Sequence, residues 1–172
     1  IRFFDTAPWY GFGRAETRVG PALQGRAGCS LSTKVGRLLE PSDHPPGPEN
    51  GWPDPLPFAP VHDYGREGVL RSFEESLERM GLERVDTLVL HDIGRMTHGG
   101  EHDQHFADAM GGGLVALQEL KAAGRIGAIG IGVNETEVLL AAMDHADWGR
   151  LMRECKLIGP KLPAAKAMAV FV

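Results

Sequence analysis

The sequence is short of cysteine. Cys29 and Cys155 stand far apart and neither belongs to a CxxC pair, so the spacing describes neither a disulfide framework nor a thiolate zinc site. A reducing cytoplasm is the simplest setting for such a chain. It also lacks any apolar run near the roughly 20 residues that cross a bilayer, and no secretory leader is visible. There is no basic excess either. The 18 Lys and Arg are outnumbered by 23 Asp and Glu, for a net charge of −5, and the bases are scattered. That argues against a nucleic-acid surface. Finally, the chain opens not on Met but on Ile1-Arg2-Phe3-Phe4, which reads as the inside of a strand. The natural N-terminus is expected further upstream.

What remains is the composition of a globular α/β protein: 172 residues, 42% hydrophobic and 24% charged, enough for one domain with a real core. Residues 1–5 and 29–35 read as strands, with a helix over 14–24 whose centre is weakened by Gly20 and Pro21. Residues 36–64 hold Pro41, Pro45, Pro46, Pro48, Pro53, Pro55, Pro57 and Pro60. That density predicts a long loop without regular elements, of the kind that often serves as a lid. Residues 66–80 place Val69, Leu70, Phe73, Leu77 and Met80 at helical spacing, and Gly81 ends the helix. Residues 84–91 and 126–133 are near-continuous apolar runs, the pattern of strands buried on both faces. Between them come a polar, His-rich loop over 92–104 and a helix ending near Gly124, its start broken by Gly111-Gly112-Gly113. A further helix begins at 136. Alternation of this kind implies parallel strands with helical crossovers, and both doubly wound sheets and (β/α)8 barrels satisfy it.

Three strands end on a polar residue after an apolar run: Asp5 after IRFF, Lys34 after LST, and His91 after TLVL. In parallel α/β folds such ends form the active-site face. A buried Lys needs a counter-ion, which Asp5 can supply. Tyr10 lies in the loop just beyond the Asp5 strand. A phenol is a poor acid at neutral pH, but a neighbouring ammonium favours the phenolate. With a His to orient a substrate oxygen, the four can move a proton while hydride moves at carbon.

The phrases FFDTAPWYGFGRAETRVGPAL, LSTKVGR and VDTLVLHDI resemble the Asp-Tyr-Lys-His motifs of the aldo-keto reductases. The resemblance is densest over residues 1 to about 148. It implies a (β/α)8 TIM-barrel fold, present as an incomplete barrel of about strands 2–5 followed by a late helical segment after Trp148. It makes Tyr10 the general acid/base, Lys34 the group that lowers the Tyr10 pKa, Asp5 the partner of Lys34, and His91 the residue that orients the carbonyl. Asn134, in IGIGVNETEV, would contact the nicotinamide carboxamide, with Asp5 also on the cofactor side. The Pro-rich loop, the DYGREGVLRSFEESLERMGLERVD pattern and the GVNE turn resemble bacterial sugar and pyridoxal dehydrogenases. Expected, then, are NADP or NAD as cofactor, an aldose hemiacetal or small aldehyde as substrate, and neither nucleic acid nor membrane as partner. The alternative is an inactive, truncated remnant of such an enzyme that no longer binds its cofactor.

Other features have blander readings. Trp9 either stacks on substrate or covers the barrel rim. Gly11-Phe12-Gly13 lacks the third glycine of a dinucleotide fingerprint, and Gly130-Ile131-Gly132 reads as close packing. His98, His102 and His105 with Asp103 invite a metal reading, against a solvated loop. Cys29 reads as inert packing, and Lys156, Lys161 and Lys166 as a solvated face.

Overall fold

The computed structural model describes residues 1–45, 51, 52, 54–146, 148 and 150–153, the last four by their backbone alone. Five parallel strands form one sheet: β1 (Phe3–Asp5), β2 (Ser30–Val35), β5 (Val85–His91), β6 (Ile126–Val133) and β7 (Arg150–Arg153), in the order β1-β2-β5-β6-β7. An antiparallel pair, β3 (Arg37–Pro41) and β4 (Phe58–His62), stands apart from it. Each strand of the main sheet neighbours the one before it, so chain order never reverses. A doubly wound sheet has a switch point where it does. The sequential order is that of a (β/α)8 barrel, here seen as an open arc.

Helices link the strands on the outer face. They are α1 (Arg14–Leu23), α2 (Arg66–Met80), a helical stretch of α3 (Arg95–His98), α4 (His102–Asp108) and α5 (Leu114–Ala122), and then α6 (Thr136–Met143). The α2 positions Val69, Phe73, Leu77 and Met80 are buried against Leu88, Leu90 and Leu117 in one core. Gly81 ends α2 in the left-handed conformation. Helix α1 runs unbroken through Gly20 and Pro21. A Cβ at Gly20 would lie 2.0 Å from the Met80 carbonyl oxygen, so glycine lets the two helices touch backbone to backbone.

Four expectations need correction. The Pro-rich stretch is not loop throughout, because its ends pair as β3 and β4. A two-stranded ribbon leaves one edge of each strand unbonded, which accommodates Pro60, opposite Leu39, and Pro41 at the strand end. The glycine triplet does not break the helix, since residues 109–113 continue it as a π-turn between α4 and α5. A Cβ at Gly112 or Gly113 would come within 2.6 Å of the Arg66 amide nitrogen or the Tyr64 carbonyl oxygen, so bare backbone is what lets the helix pack there. Much of 92–104 is also helical. Residues 150–153, the start of the segment expected to be helical, instead pair with β6 as a parallel strand. Cys155, Lys156, Lys161 and Lys166 lie outside the described residues. Cys29 packs against the core as a free thiol.

Candidate active site

Asp5, Lys34 and His91 stand at the C-terminal ends of β1, β2 and β5, and Asn134 just after β6. The parallel register brings these ends together: Asp5 pairs with Ser32, Lys34 with Val89, and His91 with Gly132. Tyr10 is delivered by a tight loop after β1. There Gly11, Phe12 and Gly13 have φ of 63°, 49° and 94° in succession, and Gly13 N donates to Pro8 O at 2.7 Å. Phe12 is fully buried and anchors the turn. The Gly-Phe-Gly sequence is therefore a left-handed turn that aims Tyr10, not part of a dinucleotide fingerprint.

Lys34 is the hub. Its side chain has no exposed surface, and Nζ donates to Asp5 Oδ2 at 2.6 Å, to Tyr10 Oη at 2.8 Å and to Thr6 O at 3.1 Å. Ser32 Oγ donates to the other oxygen of Asp5. Asp5 thus sits beneath Lys34, both oxygens engaged. Gly132, on the neighbouring strand but one, packs close to β5: a Cβ there would sit 3.1 Å from Val89 Cγ1 and in ordinary contact, 3.7 Å, with Lys34 Cε. The His91 ring meets Tyr10 edge-on, with centroids 6.1 Å apart. Burial holds the His91 pKa well below its ordinary value, and the Arg37 and Lys34 cations depress it further, so the imidazole is neutral. A recess of about 330 Å³ opens beside Tyr10, between Arg14, Ala15 and Arg18 of α1 and Trp52 and Asp54 of the Pro-rich segment. A larger surface hollow along the far half of α2 includes none of these groups.

The sequence reading missed two residues of this face. Arg37 Nη2 donates to Asp92 Oδ2 at 2.6 Å, and Asp92 Oδ1 accepts from Asn134 Nδ2 at 3.3 Å. Both follow a tetrad residue closely, in LSTKVGR and VLHDI; that position was visible in the sequence, whereas their burial and pairing were not. Gly36, with φ 97°, turns the chain from β2 to Arg37, and a Cβ there would strike the Tyr64 ring at 2.2 Å. Trp9 lies under the Arg37 guanidinium at 4.6 Å and edge-on to Phe12. One face of Trp9 is therefore already covered.

The histidines of 98–105 separate. His102 Nδ1 lies 2.9 Å from Ile93 O, and exposed Asp103 pairs with Arg95. His98 and His105 instead pack with His62, with centroids 4.1 and 4.7 Å from His98. Tyr64 joins them: its hydroxyl donates to His91 O at 2.7 Å and lies 3.0 Å from His98 Nε2. Among the described residues no group of His, Cys, Asp or Glu converges as a metal site.

Residues 1–155 match the model of the aldo/keto reductase family. The chain belongs to that family. It is 44% identical over 158 residues to the pyridoxal 4-dehydrogenase of Microbacterium luteolum, across 86% of this chain and 46% of that protein. It is 38% identical to a D-threo-aldose 1-dehydrogenase of a Pseudomonas species, across 88% of this chain and 46% of that one. The chain thus spans about half the length of these relatives. A holo-form aldo-keto reductase from Bacillus halodurans superposes with a TM-score of 0.68 at 24% identity, over 90% of this chain and 44% of its own. A Klebsiella pneumoniae aldo-keto reductase solved with NADPH gives a TM-score of 0.59 at 23% identity, over 88% of this chain and 42% of its own. At that identity the two structures speak for the fold. No helix among the described residues is long and apolar enough to cross a membrane.

Proposed function

We propose that this face catalyses NAD(P)-dependent oxidoreduction of an aldose hemiacetal or a small aldehyde, with Tyr10 as general acid/base, in a cytoplasmic setting. The observation that carries the reading is the Lys34 ammonium, fully buried and bonded at once to Asp5 and to Tyr10 Oη. An isolated buried ammonium costs several kcal/mol. Asp5 offsets that cost, and Lys34 in turn favours negative charge on the phenol oxygen. Tyr10 can then take the proton of a substrate hydroxyl, or return it in the reverse direction. His91, neutral and buried beside Tyr10 on the same face, is suited to donate a hydrogen bond to the substrate oxygen and fix its direction.

The donor set also fits the nicotinamide end of the cofactor, because the exposed Asn134 amide lies at the next strand end. The bound nicotinamide would supply the hydride donor or acceptor at carbon. The names of the relatives, which act on pyridoxal and on aldoses, support the substrate class.

Tyr10→Phe removes the proton carrier while leaving the ring in place. Turnover of L-fucose or a similar aldose is expected to fall by about 10²–10⁴-fold, as for loss of a general acid/base, with an unchanged melting temperature. A variant as fast as its parent overturns the mechanism. Quenching of nicotinamide fluorescence tests the cofactor directly: micromolar binding supports the enzyme, and no binding favours an inactive remnant.

A further inference from the structure

Asp92 is the residue of this face whose role the tetrad chemistry does not explain. It follows His91 and has φ 48°, a left-handed conformation that costs a non-glycine residue free energy. It is tied down from several sides. Its amide donates to Gly132 O on β6 at 2.7 Å. Its Oδ2 accepts from Arg37 Nη2 at 2.6 Å and lies 3.5 Å from His91 Nε2. Its Oδ1 accepts from Asn134 Nδ2 at 3.3 Å. The carboxylate is largely buried, with 12% of its side chain exposed, and the nearly buried Arg37 compensates its charge. Arg37 is itself held against the Trp9 ring.

This arrangement fixes a polarity. A carboxylate can only accept hydrogen bonds, and an asparagine amide has a donor side and an acceptor side. With Asp92 on one side, Asn134 must turn its NH2 inward and its carbonyl oxygen outward. We propose that Asp92, held by Arg37, is a positioning residue that presents the Asn134 oxygen as an obligatory acceptor, so that this strand end selects a ring substituent that donates, a primary carboxamide, over one that only accepts. The selection rests on the cofactor reading above. The positioning does not, since it is a property of the chain alone.

The first arm needs no cofactor. The chain has only two asparagines, Asn50 and Asn134, so in ¹⁵N-labelled protein the Asn134 side-chain amide is the signal lost in Asn134→Ser. Its protons are expected to exchange with solvent about three- to tenfold more slowly than those of a free asparagine amide, as for one net hydrogen bond. Asp92→Gly removes the carboxylate and tolerates φ 48°, so the backbone need not move; the protection should vanish while the far-UV circular dichroism is retained. An amide that exchanges freely in the parent, or is unmoved by Asp92→Gly, overturns the proposal.

The second arm compares binding of NADP+ with its 3-acetylpyridine analogue, in which methyl replaces the carboxamide NH2. The parent is expected to prefer the nicotinamide form about three- to tenfold, and Asp92→Gly to bind both alike. Equal affinities in the parent overturn the selection. If neither dinucleotide binds while the Asn134 amide is protected, the cofactor reading and the selection fail together, and the positioning stands confirmed.

Discussion

Two groups of titratable side chains sit side by side in this molecule and are built on opposite principles. In the tetrad, charges are buried and answered: Lys34 by Asp5, with the Tyr10 hydroxyl sharing the ammonium. In the neighbouring cluster, His62, His98 and His105 meet edge-on or tilted around Tyr64, and burial, with the cationic neighbours, lowers the pKa of His62 and of His98 to about 4. At neutral pH those two rings are uncharged packing material that docks β4 against α3 and α4. Residue type and spacing suggested chemistry in both places. The difference is that charge compensation aims groups at a shared point in one, while the other only fills space.

The contrast is broken most severely at Lys34. Lys34→Met leaves the Asp5 carboxylate without its cation, and urea unfolding should show a loss of about 3–5 kcal/mol, as for half of a buried ion pair. The double variant with Asp5→Asn should recover part of it, and strict additivity would show that the pair is not coupled. Next comes Tyr64→Phe, which removes one hydrogen bond to the His91 carbonyl, the one from the Tyr64 hydroxyl. The cost expected from chemical denaturation is about 0.5–1.5 kcal/mol, as for one net hydrogen bond, with only a small fall in turnover because no tetrad side chain is altered.

The smallest effect sharpens the comparison through pH. The imidazoles of His62 and His98 titrate near 6.5 in the unfolded chain and near 4 in the folded one. Between those values the unfolded chain binds more protons, so stability rises with pH. It is therefore full above about 6.5 and declines as pH falls toward 4. His62→Gln should flatten this acid slope in thermal melts taken from pH 7 to pH 4.5. An unchanged slope would mean that His62 is as solvated folded as unfolded.

The strands β5 and β6 were legible in the sequence because near-continuous apolar runs, buried on both faces, carry their own signal, while β1 and β2 were read as shorter strands ahead of Asp5 and Lys34. Asp5, Lys34 and His91 were legible because each stands at a strand end, where parallel α/β folds place their active-site face. Arg37 and Asp92 were not, although both stand in plain view beside tetrad residues. Nothing local says that a charge after a Gly36 turn will meet one placed 55 positions later. The Pro-rich stretch was misread for a related reason, since proline density reports on local propensity and not on the free ribbon edges that tolerate it.

The sequence by itself determined the lineage, the strand ends and the kinds of groups they carry, because hydrophobic periodicity and residue chemistry are properties of short segments. Only the tertiary structure decided that the sheet runs in sequential order, that Lys34 reaches both Asp5 and Tyr10, and that Asp92 holds Asn134 by its donor side. Those are outcomes of register, which places residues by the hydrogen bonds between strands and not by their distance along the chain.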